Sequence, residues 1–191
     1  MTVWGSAKCG KVTWDEMRAE LMELPKETLV EMVNMWVKNY WSNQGYWMIN
    51  VERDFGFEHT ARLDGEIWEN MAKAQAHRLK KLLSLGDDIA SLYVVLKYCA
   101  AQWASAGFTW EFLEITAHRL VMQVNQCPMG TFREGQGLPL IPCKLGATGL
   151  YASLAQSVNP GFKVTCLHAH PDARIEGVMC KWEFIIEGRD I

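Results

Sequence analysis

Apolar residues recur with a helical period through the first hundred positions of the chain. The spacing predicts amphipathic helices over residues 14–24, 26–42, 46–55, 58–85 and 87–103. Gln44-Gly45 interrupts the second and third of these patterns, and Gly56 follows the third as its predicted C-cap. The chain up to residue 107 is therefore predicted to be almost wholly helical.

Beyond Gly107 the apolar period changes from about four residues to two. Residues 109–126 alternate, which predicts two strands around a turn near 117–119, although a helix over 109–125 is an alternative. The remaining pattern predicts a loop over 130–143, a helix over 146–158, and strands over 163–168 and 178–187. We therefore expect an α+β fold within one domain, residues 1–191. Its helical part, 1–107, packs on an α/β part, 108–191, with a small, mostly antiparallel sheet and one helix.

Composition and charge exclude several classes of function. The 191 residues carry a net charge of −3, so the dense basic face that nucleic acid requires is not expected. No apolar run approaches 18 residues, which argues against a membrane span, and the first ten residues lack an apolar signal core. A cytoplasmic location is expected by default. Nine tryptophans predict either an aromatic core or an aromatic-lined ligand pocket.

The chemistry-bearing residues concentrate in the last third of the chain. Four of the six cysteines, together with two closely spaced histidines, fall within 54 residues: Cys127, Cys143, Cys166, His168, His170 and Cys180. In a reducing compartment these cysteines are free thiols, metal ligands or a nucleophile rather than a disulfide framework. No CxxC pair is present, so a zinc-ribbon motif is excluded.

Two site hypotheses follow from this cluster. In the first, Cys127, Cys143, Cys166 and Cys180, with His168 beside them, bind zinc or an iron–sulfur cluster. In the second, Cys127 or Cys180 is a nucleophile, with His118 as its base. Inert buried thiols and a surface histidine pair are the structural alternatives.

Two acidic residues on the predicted helices are candidates for a ligand pocket. Glu52 and Asp64 lie on largely apolar helices, near Trp47 and Trp68, and a buried acid needs a partner. Structural ion pairs are the alternative, with Arg53, Arg62 and Arg78 available for them. No glycine-rich phosphate-binding motif is present, so no nucleotide cofactor is expected.

Several segments resemble known families. The chain resembles, over nearly its whole length, a prokaryotic family with no assigned function. The motifs that carry this resemblance are Trp41–Gly56, Ala61–Trp68 and Ala76–Lys80. Cys127-Pro128, Cys143 and Gly177–Phe184 are similar to L-2-amino-thiazoline-4-carboxylate hydrolase-like proteins. More distantly they resemble the vinyl-4-reductase-type domain, a small-molecule-binding module that can hold zinc through cysteines. The chain departs from these patterns at Gln44 and Gln75, where an acid is common, and at Ala169, where a second cysteine is common.

The resemblance implies two functions. The first is C–N hydrolysis of a small heterocyclic substrate, with Cys127, Cys143 and Cys180 at the site and a histidine as base. The alternative is a metal- or cluster-bearing protein that binds a small molecule in an aromatic pocket. An accessory protein that binds a partner through its tryptophans is a third hypothesis, and the sequence leaves assembly into a homo-oligomer open.

Overall fold

The computed structural model of the chain describes residues 11–104 and 107–187, with side chains at 100–103 left out. Within these ranges it contains six helices and four strands. In chain order they are α1 (Trp14–Met22), α2 (Lys26–Phe55), α3 (Phe57–Leu83), α4 (Ile89–Ala104), β1 (Thr109–Ile115), β2 (Arg119–Gln126), α5 (Pro128–Gly135), α6 (Cys143–Val158), β3 (Phe162–Ala169) and β4 (Cys180–Ile186). The architecture is α+β, as the periodicity predicts. None of the helices in the described ranges has both the length and the apolar character that crossing a membrane requires.

The predicted break at Gln44-Gly45 is wrong, because α2 runs through it without interruption. A glycine inside a helix costs about 1 kcal/mol relative to alanine. Two residues of α2 on either side of this glycine, Gln44 and Met48, are buried, and Gln44 donates a hydrogen bond to Asp64 on α3. These contacts offset the cost. The chain reverses instead at Gly56, whose φ of 84° is a conformation that glycine adopts without strain. Helix α3 begins at the next residue and returns along α2.

Helix α3 makes its most extensive contacts with α6. Its buried positions recur every fourth residue, at Thr60, Asp64, Trp68, Ala72 and Ala76. The two helices approach closely at Gly65 of α3 and Gly146 of α6. A Cβ atom at Gly65 would lie 3.7 Å from the Cα atom of Gly146.

The four strands form one antiparallel sheet in the order β1-β2-β4-β3. The two strands predicted over 109–126 are confirmed, and the helical alternative for this segment is wrong. Met122 on β2 lies opposite Trp182 on β4, and both are fully buried. The ring of Tyr151, on α6, packs on Trp182 with 4.7 Å between centroids. The core therefore lies between the sheet and the α3–α6 pair.

The loop predicted over 130–143 is wrong in its first part, where the structure contains α5. Pro128 occupies the first turn of this helix, where a missing backbone N–H costs nothing. Gly137, with φ of 65°, reverses the chain just beyond its end. Gly130 and Gly135 are part of this helix. Because glycine has a low helix propensity, the sequence pattern does not predict a helix here.

Candidate functional site

A cavity of about 130 Å³ lies where the sheet, α3, α5 and α6 meet. It is at the end of the sheet where β2 and β3 finish and β4 begins. Its walls are mainly apolar, and the lining residues that could bind or react with a ligand are Asp64, Trp68, Cys127, Arg133, Cys143, Tyr151, His170 and Cys180. Residues far apart in sequence thus converge on one cavity.

Asp64 places a carboxylate in the wall of this cavity from the middle of α3. It is 7% exposed, and its Oδ1 atom accepts a hydrogen bond of 2.5 Å from the side-chain amide of Gln44. Burial raises the pKa of Asp64 to about 6. Hydrogen bonds from Trp68 and Gln44, and the positive charge of Arg133, limit that rise. Asp64 and Trp68, both predicted as pocket residues, lie in the wall of this cavity.

Arg133 is the buried cation of the site, at 2% exposure. Its two terminal nitrogens each donate a 2.9 Å hydrogen bond to the carboxylate of Glu52, and its Nε atom donates to the carbonyl oxygen of Pro139. The guanidinium also lies over the ring of Phe57, 5.0 Å from its centroid. Glu52 was predicted as a pocket acid. It binds Arg133, which lines the cavity, but Glu52 itself does not line it. Its partner is Arg133, rather than any of the three arginines expected from the sequence.

Three of the four clustered cysteines, Cys127, Cys143 and Cys180, line the cavity. Burial raises the pKa of all three thiols, that of Cys143 to about 12. Cys127 and Asp64 add to the rise at Cys143, although this residue begins α6, where a helix N-terminus would favour the thiolate. These cysteines are therefore neutral thiols at physiological pH.

Cys166 lies on β3 opposite Trp182 and does not line the cavity. Its sulfur is near enough to influence the ionisation of Cys143 and Cys180. The four cysteines therefore lie in one region of the fold. Within the described ranges, however, no three His, Cys, Asp or Glu side chains come close enough together to hold a metal ion.

The predicted histidines occupy different places from one another. His118 is exposed in the turn between β1 and β2, about 30 Å along the strand from Cys127. It is not near enough to act as a base for the thiols in the cavity. His168 is 9% exposed on β3, with Nδ1 4.0 Å from Asp172, and it does not line the cavity. His170 lines it instead, just beyond the end of β3.

Two tryptophans line the cavity, and a third that was predicted to do so does not. Trp41 and Trp68 belong to the wall, and their ring centroids are 6.2 Å apart. Trp47 is partly buried on α2 but does not reach the cavity. The aromatic-lined pocket expected from the tryptophan content is thus formed by Trp41 and Trp68 together with Tyr151 and Phe108.

Residues 22–186 match the family model described as a family of unknown function, DUF6125. The chain belongs to this family. No curated protein matches the sequence. Among solved structures, the chain is similar to the phenol-responsive sensory domain of the transcription activator PoxR, solved with phenol. The two are 12% identical with a TM-score of 0.53, over 75% of this chain and 73% of the other. At this identity the likeness concerns the fold.

Two important residues of this DUF6125 protein escaped prediction from its sequence. Arg133 was assigned to a loop, and Gln44 was taken as part of a helix break. A signal existed for each of them. Pro128 and Gly137 bracket a short helix that carries Arg133. Gln44 continues the buried face of α2 four residues before Met48.

Proposed function

We propose that this member of the DUF6125 family binds a compact, mostly apolar small molecule in the cavity between the sheet and α3, α5 and α6. The observation that carries the proposal is the cavity itself: apolar walls with one buried carboxylate, Asp64. Ligand sites in proteins combine these two features. An engineered apolar cavity of about 150 Å³ in another protein binds benzene. A single aromatic ring therefore matches the space of about 130 Å³.

The fold likeness to a sensory domain supports this proposal. PoxR is described as phenol-responsive and was solved with phenol. The cavity described above has the size for a ligand of that kind, and its wall provides aromatic rings for stacking at Trp41 and Trp68.

Hydrolysis of a C–N bond stays a prediction from the resemblance, and the site favours it less. A thiol nucleophile acts as the thiolate and needs an adjacent base. Burial raises the pKa of Cys127 and Cys180, and His118, the expected base, is at the other end of the sheet. Retained turnover in Cys127→Ser and Cys180→Ser variants would exclude these thiols as essential groups.

Metal binding is the second candidate, and one observation favours it. The indole N–H of Trp182 is buried and lies near the Cys180 sulfur, where it lowers the pKa of the thiol and so favours the thiolate. An N–H donor beside a cysteine is suited to a metal-bound thiolate. The donor set fits zinc chemically, but its present spacing does not bring three ligands to one ion. Elemental analysis and a visible spectrum of protein purified without oxygen decide between zinc, an iron–sulfur cluster and free thiols.

The experiment for the binding proposal compares two glycine variants. Gly146 lines the cavity, Gly45 does not, and both are helical positions where an added Cβ atom meets no atom within 4 Å. We expect benzene, toluene and phenol to raise the melting temperature of the native protein and of Gly45→Leu. They should not raise that of Gly146→Leu, whose side chain occupies the space.

Calorimetric titration of the same compounds gives the affinities directly. If none of them binds the native protein at millimolar concentration, the proposal is wrong. Equal binding to Gly146→Leu and Gly45→Leu would place the ligand outside this cavity and would also overturn it.

A further inference from the structure

The charged groups that line the cavity include one carboxylate, Asp64, whose hydrogen-bond donors are uncharged. Of the described side chains that line it, Asp64 and Arg133 carry opposite charges at neutral pH. The charge of Arg133 is already matched by Glu52 through two hydrogen bonds of 2.9 Å. Since that pair is neutral, the carboxylate of Asp64 is the excess charge of the site.

The partners of Asp64 within the protein are neutral dipoles. Gln44 donates its amide N–H, and Trp68 donates its indole N–H. A carboxylate has about four lone-pair positions, so two hydrogen bonds leave capacity for a donor supplied by a ligand. The pKa of about 6 means that most Asp64 is ionised at neutral pH.

The thiols and aromatic rings of the wall suit a cation better than an anion. Cys127, Cys143 and Cys180 are neutral thiols because burial raises the pKa of each. The rings of Trp41 and Trp68 line the same space, and aromatic faces attract ammonium groups. A ligand carboxylate would instead lie close to Asp64, with the nearest guanidinium already engaged by Glu52.

We propose that the ligand class of this cavity is a compact amine, bound as its ammonium ion, with the charged group against Asp64 and the hydrocarbon part against Trp68 and the apolar wall. The proposal rests on the binding function proposed above and specifies its ligand. It predicts a ranking among molecules of nearly equal size and shape.

The test measures the affinities of benzylamine, benzyl alcohol, toluene and benzoate by calorimetry at neutral pH. We expect benzylamine to bind about tenfold or more tightly than benzyl alcohol, and benzoate to bind most weakly. In Asp64→Asn the preference for benzylamine should be lost while toluene still binds. Retained toluene binding shows that the variant is folded with its cavity intact.

Asp54→Asn is the matched control. It removes the same charge from an exposed position at the end of α2, and it should keep the preference of the native protein. If Asp64→Asn does not fold, the ranking on the native protein still decides. Binding of benzyl alcohol as tight as that of benzylamine would overturn the amine proposal, and so would an unchanged preference in Asp64→Asn.

The failures of the two proposals are distinguishable. Binding of toluene without a preference for the amine overturns the ligand class and leaves the binding function intact. Tight binding of benzoate would mean that His170 or Arg133, and not Asp64, selects the ligand. If none of the four compounds binds, the binding function itself is wrong.

Discussion

Asp64 shows how a single residue acquires its properties from its surroundings. On α3 it is one polar position in a buried stripe, and an unpaired acid there would be costly. Gln44 and Trp68 reduce this cost by donating hydrogen bonds, but neither provides a positive charge. The result is a carboxyl whose pKa is about 6.

This raised pKa makes the stability of the protein depend on pH. The stabilisation of the folded state that Asp64 contributes is fully present below the pKa of the unfolded chain, near 3.8. It is lost as the pH rises through about 6. Between about pH 4 and pH 7, the native protein should therefore lose up to about 3 kcal/mol of unfolding free energy that Asp64→Asn retains. Urea unfolding at a series of pH values measures this difference.

Asp54→Asn serves as the comparison for that series. A hydrogen bond from Arg53 lowers the pKa of Asp54, so its contribution has the opposite sign and is lost as the pH falls. In Asp54→Asn the free energy of unfolding should still fall toward neutral pH, as it does in the native protein. A decline in Asp64→Asn as steep as in the native protein would contradict the assigned role of Asp64.

At the scale of elements, α5 is attached to the helical part through Arg133. This short helix follows β2 directly, and its one fully buried charged side chain pairs with Glu52 on α2. Two elements that are far apart in sequence are therefore joined by one buried ion pair beside the cavity.

Removal of one partner of this pair should be costly, because it leaves a buried charge uncompensated. We expect Glu52→Gln to lower the unfolding free energy by about 3 kcal/mol and to speed hydrogen exchange in α5. The double variant Glu52→Gln, Arg133→Met should lose less than the sum of the single changes.

The exposed pair of Arg62 and Glu66 provides the control. Its atoms are 2.6 Å apart, but both side chains are more than half exposed. Glu66→Gln should change stability by no more than about 0.5 kcal/mol. Equal effects of Glu52→Gln and Glu66→Gln would show that the buried pair does not hold α5.

At the scale of the whole molecule, the N-terminal arm leaves apolar surface uncovered. The arm consists of α1 and the first half of α2, residues 14–40, and no residue of α1 is buried. Val30, Val33 and Val37 continue the face of α2 that carries the buried Gln44 and Met48, yet Val30 and Val33 are more than 60% exposed. An apolar stripe that extends beyond the body of the protein is typical of an interface.

The spacing of this stripe suits a second copy of the same chain. In an antiparallel pair with its twofold axis near Val33, Val30 faces Val37 of the other copy. Lys38 then lies between Glu27 and Glu31 of that copy, so the flanking charges are complementary.

Light scattering after size exclusion tests this expectation. We expect the native protein to be dimeric at micromolar concentration and Val33→Glu to be monomeric, since two like charges would then meet at the axis. Tyr46→Glu, at an exposed position on the other side of α2, should stay dimeric. A monomeric native protein, or a dimer that both variants disrupt equally, would contradict this interface.

Much of the fold and part of the site could be read from the sequence. The helical period, the change to alternation after Gly107 and the glycine at position 56 are local signals, and they predicted most elements and the α+β class. The region that holds four of the six cysteines also followed from their concentration within 54 residues of the last third of the chain. Helix α5 was missed because two glycines mask it, and α2 was divided because a helix break was inferred from a local signal that burial overrides.

The sequence by itself determined which residues carry chemistry and on which elements they lie, because helical and strand periods are properties of neighbouring positions. Only the tertiary structure decided which of these residues meet. It paired Glu52 with Arg133 across 81 positions and Asp64 with Gln44 across 20, and it brought His170 rather than His118 to the thiols. Such pairings depend on how helices and strands pack, and no local pattern specifies them. The charge of the cavity, and hence its expected ligand, is therefore a property of the folded chain.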